Sequence, residues 1–404
     1  MNLSAPTARR VGLAALALVL AATPLGCAKQ GNHERWKDDA NARWQSLRST
    51  ALLEMARDQF DAGALDQAEK TVTDAAAIDA SNPQLHLMAG RISLERGQLE
   101  RAYRLFEISA ELDDTEPETF YYQGVVLQRW HQYDAALVAY EKAYALDRDN
   151  PARMLAVAET LVALDRPKQA ITLLEEKKYY FDQNAGLRTM LGHLYAMQQE
   201  PRLAVENFRQ ATMLNPENMR LQEELALAQL DGGATTDAAQ TLRMLLAKPE
   251  YQDRHDLRRS LASAEAANGR YNEAREIFIQ LTRHDPSHTP DWLRLGEVCW
   301  KLQDLGGALI AANRAISLAP RRPEGYLLAG MIWQKRGRTE DALKMFDRAA
   351  ELSPDNATPL ILRGLSLQKS DRRAAAAEAF REAVRRNPED RRAQQLLTQV
   401  TTSP

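Results

Sequence analysis

The residues best suited to chemistry are two histidines four positions apart and one cysteine in a helical stretch. His284 and His288 have a spacing that can bind a metal ion on a helix, but Pro286 between them places both in a turn. We expect both histidines to be ordinary surface residues. Cys299 has no activating partner within reach in the sequence, so we expect it to be a small buried hydrophobic residue.

Motifs for catalysis, metal binding or nucleotide binding are missing from the rest of the 404 residues. There is no His-Glu-x-x-His, no Cys-x-x-Cys, no phosphate-binding glycine loop and no Gly-x-Ser-x-Gly. We therefore predict that the protein is not an enzyme. We predict no catalytic residues, no metal site, no cofactor and no small-molecule substrate.

Three lysines recur at intervals of 34 residues and could bind an acidic ligand. They are Lys301, Lys335 and Lys369, and they follow Trp300, Gln334 and Gln368. Side chains one structural repeat apart would lie in a row, which suits a track for carboxylates. Solvated surface charge is the alternative interpretation.

Small residues with the same period indicate which elements position these lysines. An alanine recurs every 34 residues, with one interval of 36, as Ala68, Ala102, Ala136, Ala170, Ala204, Ala238, Ala274, Ala308, Ala342 and Ala376. Twelve residues before each alanine stand Ala56, Gly90, Gly124, Ala158, Gly192, Ala226, Ala262, Gly296, Gly330 and Gly364. Four residues after it most units have a bulky apolar residue, including Phe106, Tyr140, Phe208, Phe278, Phe346 and Phe380. We assign the small residues to close helix crossings and the large one to the gap before the next unit.

This set of positions resembles the tetratricopeptide repeat, a helix-turn-helix unit of 34 residues. The resemblance implies an all-α fold, a right-handed α-solenoid superhelix of about ten repeats. We assign repeats 1–6 to residues 49–252 and repeats 7–10 to residues 255–390. Residues 391–404 are predicted to form a capping helix and tail. The fold therefore requires no strand.

The segment before the first repeat is predicted to be a short tether, residues 28–33, and a helix within residues 28–48. Its apolar residues at helical spacing are Trp36, Ala40, Trp44, Leu47 and Ala51. We expect this helix to cover the first repeat.

Two places depart from the repeat pattern. The unit at 151–184 has Lys177 where a small residue belongs and ends in a Lys-Tyr-Tyr-Phe run, so its second helix should be shortened or bent. The two-residue insertion at 253–254 follows Pro249 and is a candidate hinge.

The first 27 residues read as an export signal. Arg9 and Arg10 precede an apolar stretch at residues 11–22, which is too short to span a membrane. The Pro24-Leu25-Gly26-Cys27 sequence resembles the lipobox of bacterial lipoproteins, although leucine stands one position late. The resemblance implies lipidation of Cys27 and a periplasm-facing protein anchored to a membrane of the bacterial cell envelope. The alternative is cleavage after Ala28, which would release a soluble periplasmic protein.

In the repeat family the first helices line a concave groove, so the resemblance places ligand binding there. The predicted groove residues are Tyr121, Leu293, Trp300, Lys301, Leu327, Met331, Lys335, Ile361, Leu365 and Lys369. The apolar residues among them follow helical spacing, which is also typical of residues that pack in the core between helices. Nucleic acid is not expected for an exported chain with a net charge of −3.

The predicted function is a non-catalytic protein-protein interaction scaffold that binds a peptide segment or protein subunit. Related bacterial lipoproteins imply a part in assembling a pilus, a secretin or the outer-membrane machinery. The alternative is a soluble periplasmic scaffold that organises a polysaccharide-export or peptidoglycan enzyme complex.

Overall fold

The computed structural model describes residues 28–402, and over this range all regular elements are helices. The predicted all-α solenoid is therefore confirmed. Cys27 and the predicted signal segment lie outside the described residues. The chain divides into two compact units, Met1–Leu164 and Asp165–Pro404, which we describe separately.

The described part of the first unit contains seven helices. Their bounds are α1 Ala28–Asp61, α2 Leu65–Ile78, α3 Pro83–Glu95, α4 Leu99–Leu112, α5 Pro117–Arg129, α6 Tyr133–Leu146 and α7 Pro151–Ala163. Each helix packs mainly against its neighbours in the sequence. We call the odd-numbered helices up to α19 the A helices and the even-numbered ones the B helices, because each repeat contains one of each.

The described part of the second unit contains fourteen α-helices and one short 3₁₀ turn, Pro249–Tyr251. The bounds are α8 Pro167–Lys177, α9 Ala185–Met197, α10 Pro201–Leu214, α11 Met219–Asp231, α12 Thr235–Leu246, α13 His255–Ala267, α14 Tyr271–His284, α15 Thr289–Lys301, α16 Leu305–Leu318, α17 Pro323–Lys335, α18 Thr339–Leu352, α19 Thr358–Lys369, α20 Arg373–Arg386 and α21 Arg391–Thr402. Here too the main contacts join helices one or two positions apart in the chain.

Two A helices, α3 and α7, begin at an asparagine followed by a proline. The Asn82 side chain accepts a hydrogen bond from the backbone N–H of Gln84 at 3.0 Å, and Pro83 occupies the first turn. Asn150 and Pro151 start α7 in the same way. The asparagine satisfies an N–H group that has no partner within the helix, and proline loses nothing by lacking one there.

One residue in each turn from an A helix to its B helix has a left-handed backbone. The φ angles lie between 58° and 77° at Gly63, Gly97, His131, Asp165, Gln199, Gly233, Gly269, Gln303, Gly337 and Asp371. A residue with a Cβ pays about 1 kcal/mol or more in this conformation, whereas glycine does not. Within each unit, these turns reverse the chain so that the two helices of a repeat pack antiparallel.

The predicted small positions are confirmed as close contacts between helices. The ten alanines that recur between residues 68 and 376 are at most 1% exposed. A Cβ added to Gly124 would lie 2.6 Å from the Tyr140 ring, and one added to Gly192 would lie 2.7 Å from the Phe208 ring. In these repeats the aromatic ring covers the glycine of its own repeat, whereas the prediction placed it in the gap to the next repeat. At these two positions the ring lies where a side chain on helix A would stand, so glycine is needed there.

Repeat eight fills this space with a side chain from the following repeat. The residue four positions after Ala308 is Ala312, which is too small to cover the glycine. Instead Cδ2 of Leu328, on α17, lies 2.6 Å from where a Cβ on Gly296 would stand. Leu328 is buried, so repeats eight and nine interlock at Gly296.

The second helix of the fourth repeat is shorter than its counterparts, as predicted. Helix α8 has 11 residues, whereas α4 and α6 have 14. A turn follows it, in which Tyr179 is 79% exposed.

The insertion at 253–254 lies inside the second unit and follows the 3₁₀ turn. The Arg254 guanidinium donates hydrogen bonds to the Glu223 carboxylate at 2.6 and 3.1 Å and to the Asp256 carboxylate at 2.7 and 2.9 Å. These bonds link α11 to the start of α13. The hinge at this position stays a prediction.

Helix α1 differs from the expected tether and separate helix, because it runs without a break from Ala28 to Asp61. Trp36, Trp44 and Leu47 are 77%, 63% and 67% exposed, so they do not cover the first repeat. The residues of α1 that pack on the repeats, such as Leu53 and Ala56, lie on the other side of the helix.

The last helix, α21, packs on α20 and buries Ala393 and Val400. Among residues 28–402 no helix combines the length and the apolar character needed to cross a membrane.

Candidate peptide-binding groove

Nine of the ten predicted groove residues lie on α15, α17 and α19, which are successive A helices of the second unit. Helix α17 contacts both α15 and α19. Residues one repeat apart therefore stand on adjacent helices, as the groove hypothesis requires. We call the surface formed by α13, α15, α17 and α19 the A-helix face. Tyr121 belongs to the first unit, where its ring packs against Tyr122 and Tyr140.

Exposure divides the nine residues into three groups. Lys301, Lys335 and Lys369 are exposed. The half-buried residues are Leu293, Trp300, Leu327, Met331 and Leu365. The half-buried residues pack between the helices and also present part of their surface to solvent. They therefore belong partly to the core and partly to the predicted groove.

Ile361 is 4% exposed and does not line an accessible surface. It belongs to a buried cluster with Leu360 and Ala357 that also contains Ala383 of α20 and Ala393 of α21. Side chains of α20 and α21 pack in this cluster, so the fifth position of the last repeat is core. Its predicted place in the groove is corrected accordingly.

An open cavity of about 410 Å³ lies where α13 and α14 meet α15. It is lined by Ser263, Ala266, Ala267, Tyr271, Phe278, Arg294, Glu297, Val298 and Lys301. Arg294 donates to the Glu297 carboxylate at 2.8 Å, so the polar edge contains an ion pair and one further cation. The small side chains of α13 leave room for a ligand side chain beside Lys301.

The three lysines have no acidic partner among the described residues, whereas two nearby arginines do. Arg338 pairs with Asp341 at 2.6 Å, and Arg372 pairs with Glu340 at 2.5 Å. The Lys301 Nζ lies 5.4 Å from the centroid of the Trp300 ring, within the range of a cation–π contact. The lysine row therefore keeps its charge available to an anionic ligand.

Family comparison settles what kind of repeat this is. Two tetratricopeptide repeat models match the chain, one at residues 189–253 and 259–323 and the other at residues 131–194 and 334–400. These ranges together cover more than half of the sequence. The chain is a tetratricopeptide repeat (TPR) protein. TPR proteins bind protein or peptide partners.

Among curated proteins, this TPR protein is similar to the cellulose synthase operon protein C of Pseudomonas fluorescens (strain SBW25). The two are 22% identical over 366 residues, which covers 77% of this chain. The chain spans 28% of the length of that relative.

Among solved structures, the TPR protein is similar to yeast Tom70, with 14% identity, 88% of each chain covered and a TM-score of 0.43. It is also similar to the C-terminal part of a TPR repeat-containing protein from Cytophaga hutchinsonii. That match has 15% identity, covers 59% of this chain and 98% of the other, and has a TM-score of 0.47. At these identities the likeness concerns the fold alone.

Cys299 is a buried hydrophobic residue in the TPR core, as predicted. It is 3% exposed and packs in a cluster with Leu295 and Val298. Burial raises the pKa of the Cys299 thiol, and the nearby Asp304 carboxylate raises it further. A thiol with a raised pKa is a poor nucleophile, because the thiolate is the reactive form.

The structure pairs the histidines in a way that the sequence did not predict. Nε2 of His284 lies 3.0 Å from Nε2 of His255, which is 29 positions earlier and begins α13. His288 instead faces the buried Asp291, with 3.0 Å between Nδ1 and Oδ2. No group of three or more metal-ligating side chains occurs in the part of the chain that the structure describes. The two histidines meet because α13 and α14 pack antiparallel, and no spacing in the sequence indicates this contact.

The His255 pair predicts a loss of stability at acidic pH. Burial lowers the pKa of His255 from its usual value of 6.5, and His284, Arg258 and Arg259 lower it further, while Asp253 opposes them. Below about pH 6.5 the unfolded chain binds a proton at this residue more readily than the folded chain does. We therefore expect the melting temperature to fall as the pH drops from 7 towards 5, and to fall less in His255→Gln.

Thermal unfolding of wild type, His255→Gln and His86→Gln at each pH checks this expectation. His86 is a histidine of the first unit whose ring bonds to the Ala80 carbonyl, so its replacement is the matched control. An equal fall in all three proteins would contradict the assignment to His255.

Proposed function

We propose that this TPR protein is a non-catalytic scaffold of the bacterial cell envelope that holds a peptide segment or protein subunit on its A-helix face. TPR families are generally non-catalytic binding modules, and the proposal assigns no chemistry to the described residues. The observation that carries it is the row of unpaired Lys301, Lys335 and Lys369 beside half-buried apolar residues on three adjacent helices.

The two rows would contribute differently to binding. Trp300, Leu327 and Met331 would lose their remaining exposed surface to the ligand, which supplies most of the affinity. The exposed lysines would steer and orient carboxylates of the ligand, with an effect that salt weakens. The preferred ligand is therefore an extended or helical segment with apolar anchors and acidic residues.

Charge reversal of the row tests this proposal. A Lys301→Glu, Lys335→Glu and Lys369→Glu triple variant should fold normally and lose the client that wild type captures from membranes. Trp300→Ala should weaken binding of that client by about 2 kcal/mol, roughly thirtyfold, at any salt concentration. Wild-type binding should weaken as salt rises. Binding is measured by titration with the client identified by pull-down.

The matched control changes the same charge elsewhere. Lys70, Lys248 and Lys344 are exposed and lie off the A-helix face, so their replacement by glutamate should leave binding unchanged. If the triple lysine variant and Trp300→Ala both bind the client as tightly as wild type does, the groove proposal is wrong. The outward-facing surfaces of the B helices and the segment near Pro249 would then be the places to examine.

The envelope location rests on residues outside the described range. The basic pair Arg9 and Arg10, the apolar stretch at residues 11–22 and the lipobox-like ending at Cys27 support export and lipidation. With such an anchor, the scaffold would serve the assembly of an envelope complex such as a pilus, a secretin or the outer-membrane machinery.

A second candidate is a periplasmic scaffold of a polysaccharide-export complex, without lipid. The observation that favours it is the likeness to a protein named for a cellulose synthase operon, since cellulose is a polysaccharide. Proteins captured from an envelope extract would distinguish the two candidates. Subunits of pili or secretins support the first, and subunits of a polysaccharide synthase or exporter support the second.

A further inference from the structure

Residues 36–48 of α1 extend beyond the first repeat without packing on it. Every side chain from residue 36 to residue 48 is exposed, and Ser49 is the first buried residue. A helix of this length without a packing partner is only marginally stable in water. The segment is therefore accessible to a partner surface, and packing on one would stabilise it.

One side of this segment carries its large apolar residues. Trp36, Ala40, Trp44 and Leu47 follow each other at intervals of four, four and three residues, which places them in one stripe. At about 100° per residue, the stripe lies roughly opposite Ser49, Leu53 and Ala56, the α1 residues that are buried on the repeats. It therefore points away from the repeats and is a separate surface.

Cations flank the stripe on both sides. By helical geometry Lys37 and Arg48 lie along one edge and Arg43 lies along the other, with Asp39 beyond Arg43. Between residues 36 and 402, none of the three cations has an acidic partner. Tryptophan next to basic residues is the composition of helices that lie at the surface of an anionic bilayer.

We propose that residues 36–48 of α1 lie on an anionic membrane surface. Trp36, Trp44 and Leu47 reach the boundary between headgroups and acyl chains, and Lys37, Arg43 and Arg48 contact the lipid phosphates. This inference rests on the proposed envelope location, because the helix begins at Ala28, directly after the proposed anchor at Cys27.

Charge favours a membrane over a second copy of the chain. If two α1 helices packed antiparallel through their stripes, the edge with Lys37 and Arg48 would face the same edge of the second copy. Lys37 would then stand near Arg48 of that copy, and such like-charge contacts oppose association. An anionic bilayer instead attracts all three cations.

Fluorescence quenching by lipids tests the proposal on the full chain. The probe is a vesicle of phosphatidylethanolamine and phosphatidylglycerol with brominated acyl chains, which quench tryptophans at the acyl boundary. We expect quenching in wild type, and we expect its loss in a Trp36→Phe and Trp44→Phe variant, which keeps the four tryptophans at 130, 292, 300 and 333.

The cations are tested in a Cys27→Ser background, so that no lipid anchor contributes. Replacing Lys37, Arg43 and Arg48 by glutamine should weaken vesicle binding by roughly a hundredfold, since each cation near an anionic surface contributes about fivefold. High salt or vesicles of phosphatidylcholine should weaken binding as well. Val138→Ser, at another exposed apolar residue, is the matched control and should change nothing.

The outcomes separate this inference from the proposed anchor. Acyl labelling of Cys27 without quenching of Trp36 and Trp44 would overturn the inference and leave the anchor in place. Quenching without labelling would support the membrane-lying helix and reject the anchor. No vesicle binding, together with a dimer that a Trp36→Ser and Trp44→Ser variant dissociates, would assign the stripe to a second copy and overturn the inference.

Discussion

Gly296→Leu is expected to lower the free energy of unfolding by about 3 kcal/mol, at the upper end of the range for overpacked cores. A Cβ at this position would already lie 2.6 Å from Cδ2 of Leu328 and 3.4 Å from the Ala308 carbonyl oxygen. Leu328 is 4% exposed, so other side chains enclose it. The larger side chain must therefore push α17 away from α15, which separates repeats eight and nine.

Urea unfolding followed by circular dichroism measures this loss. Ala308→Leu, on the helix that crosses α15, should lower the free energy of unfolding by about 1 to 3 kcal/mol for the same reason. A Cβ at Gly306 would meet its nearest neighbour at 3.5 Å, so Gly306→Ala should be neutral or slightly stabilising. Arg385→Ala, at a largely exposed side chain, should change stability by at most about 0.5 kcal/mol. Equal losses for Gly296→Leu and Arg385→Ala would show that the repeat frame is misassigned.

Cys27→Ser is expected to abolish acyl labelling of the protein and its stable association with membranes. The thiol is the group that lipidation modifies, and serine keeps the size of the side chain while removing the sulfur. The protein that remains on membranes through α1 should be released by a high-salt wash, because charge attraction is screened whereas an acyl chain is not.

Labelling cells with a fatty-acid analogue, followed by fractionation, measures both effects. The matched control is Cys299→Ser, which removes the other cysteine of the chain and should leave labelling intact. Equal labelling of Cys27→Ser and wild type, or a wild-type protein that begins at Lys29, would favour the soluble periplasmic alternative.

Periodicity was enough to predict the helical fold and its closest contacts. A close crossing of two helices requires a small residue whatever surrounds it. The regular spacing of the alanines and glycines therefore indicates where the helices cross. The all-α solenoid and the burial of the recurring alanines were predicted for this reason.

The remaining features depend on contacts that no local pattern encodes. His255 meets His284 only because two helices pack antiparallel. Ile361 lies in a buried cluster with Ala393 of α21, and Leu328 approaches Gly296 in a repeat where residue 312 is an alanine and supplies no ring. The exposed tryptophans of α1 have the same spacing that a core-facing helix would have, so their sequence could not reveal which way they point.

The neighbour-only packing of the helices has a mechanical consequence. Within each unit the main contacts join helices at most two positions apart in the chain. When such an array is stretched from its ends, no contact distant in sequence resists, and each repeat yields separately. If a bound partner pulled on the protein, the repeats outside the binding surface would therefore extend first. The repeats that hold the partner would stay folded and bound.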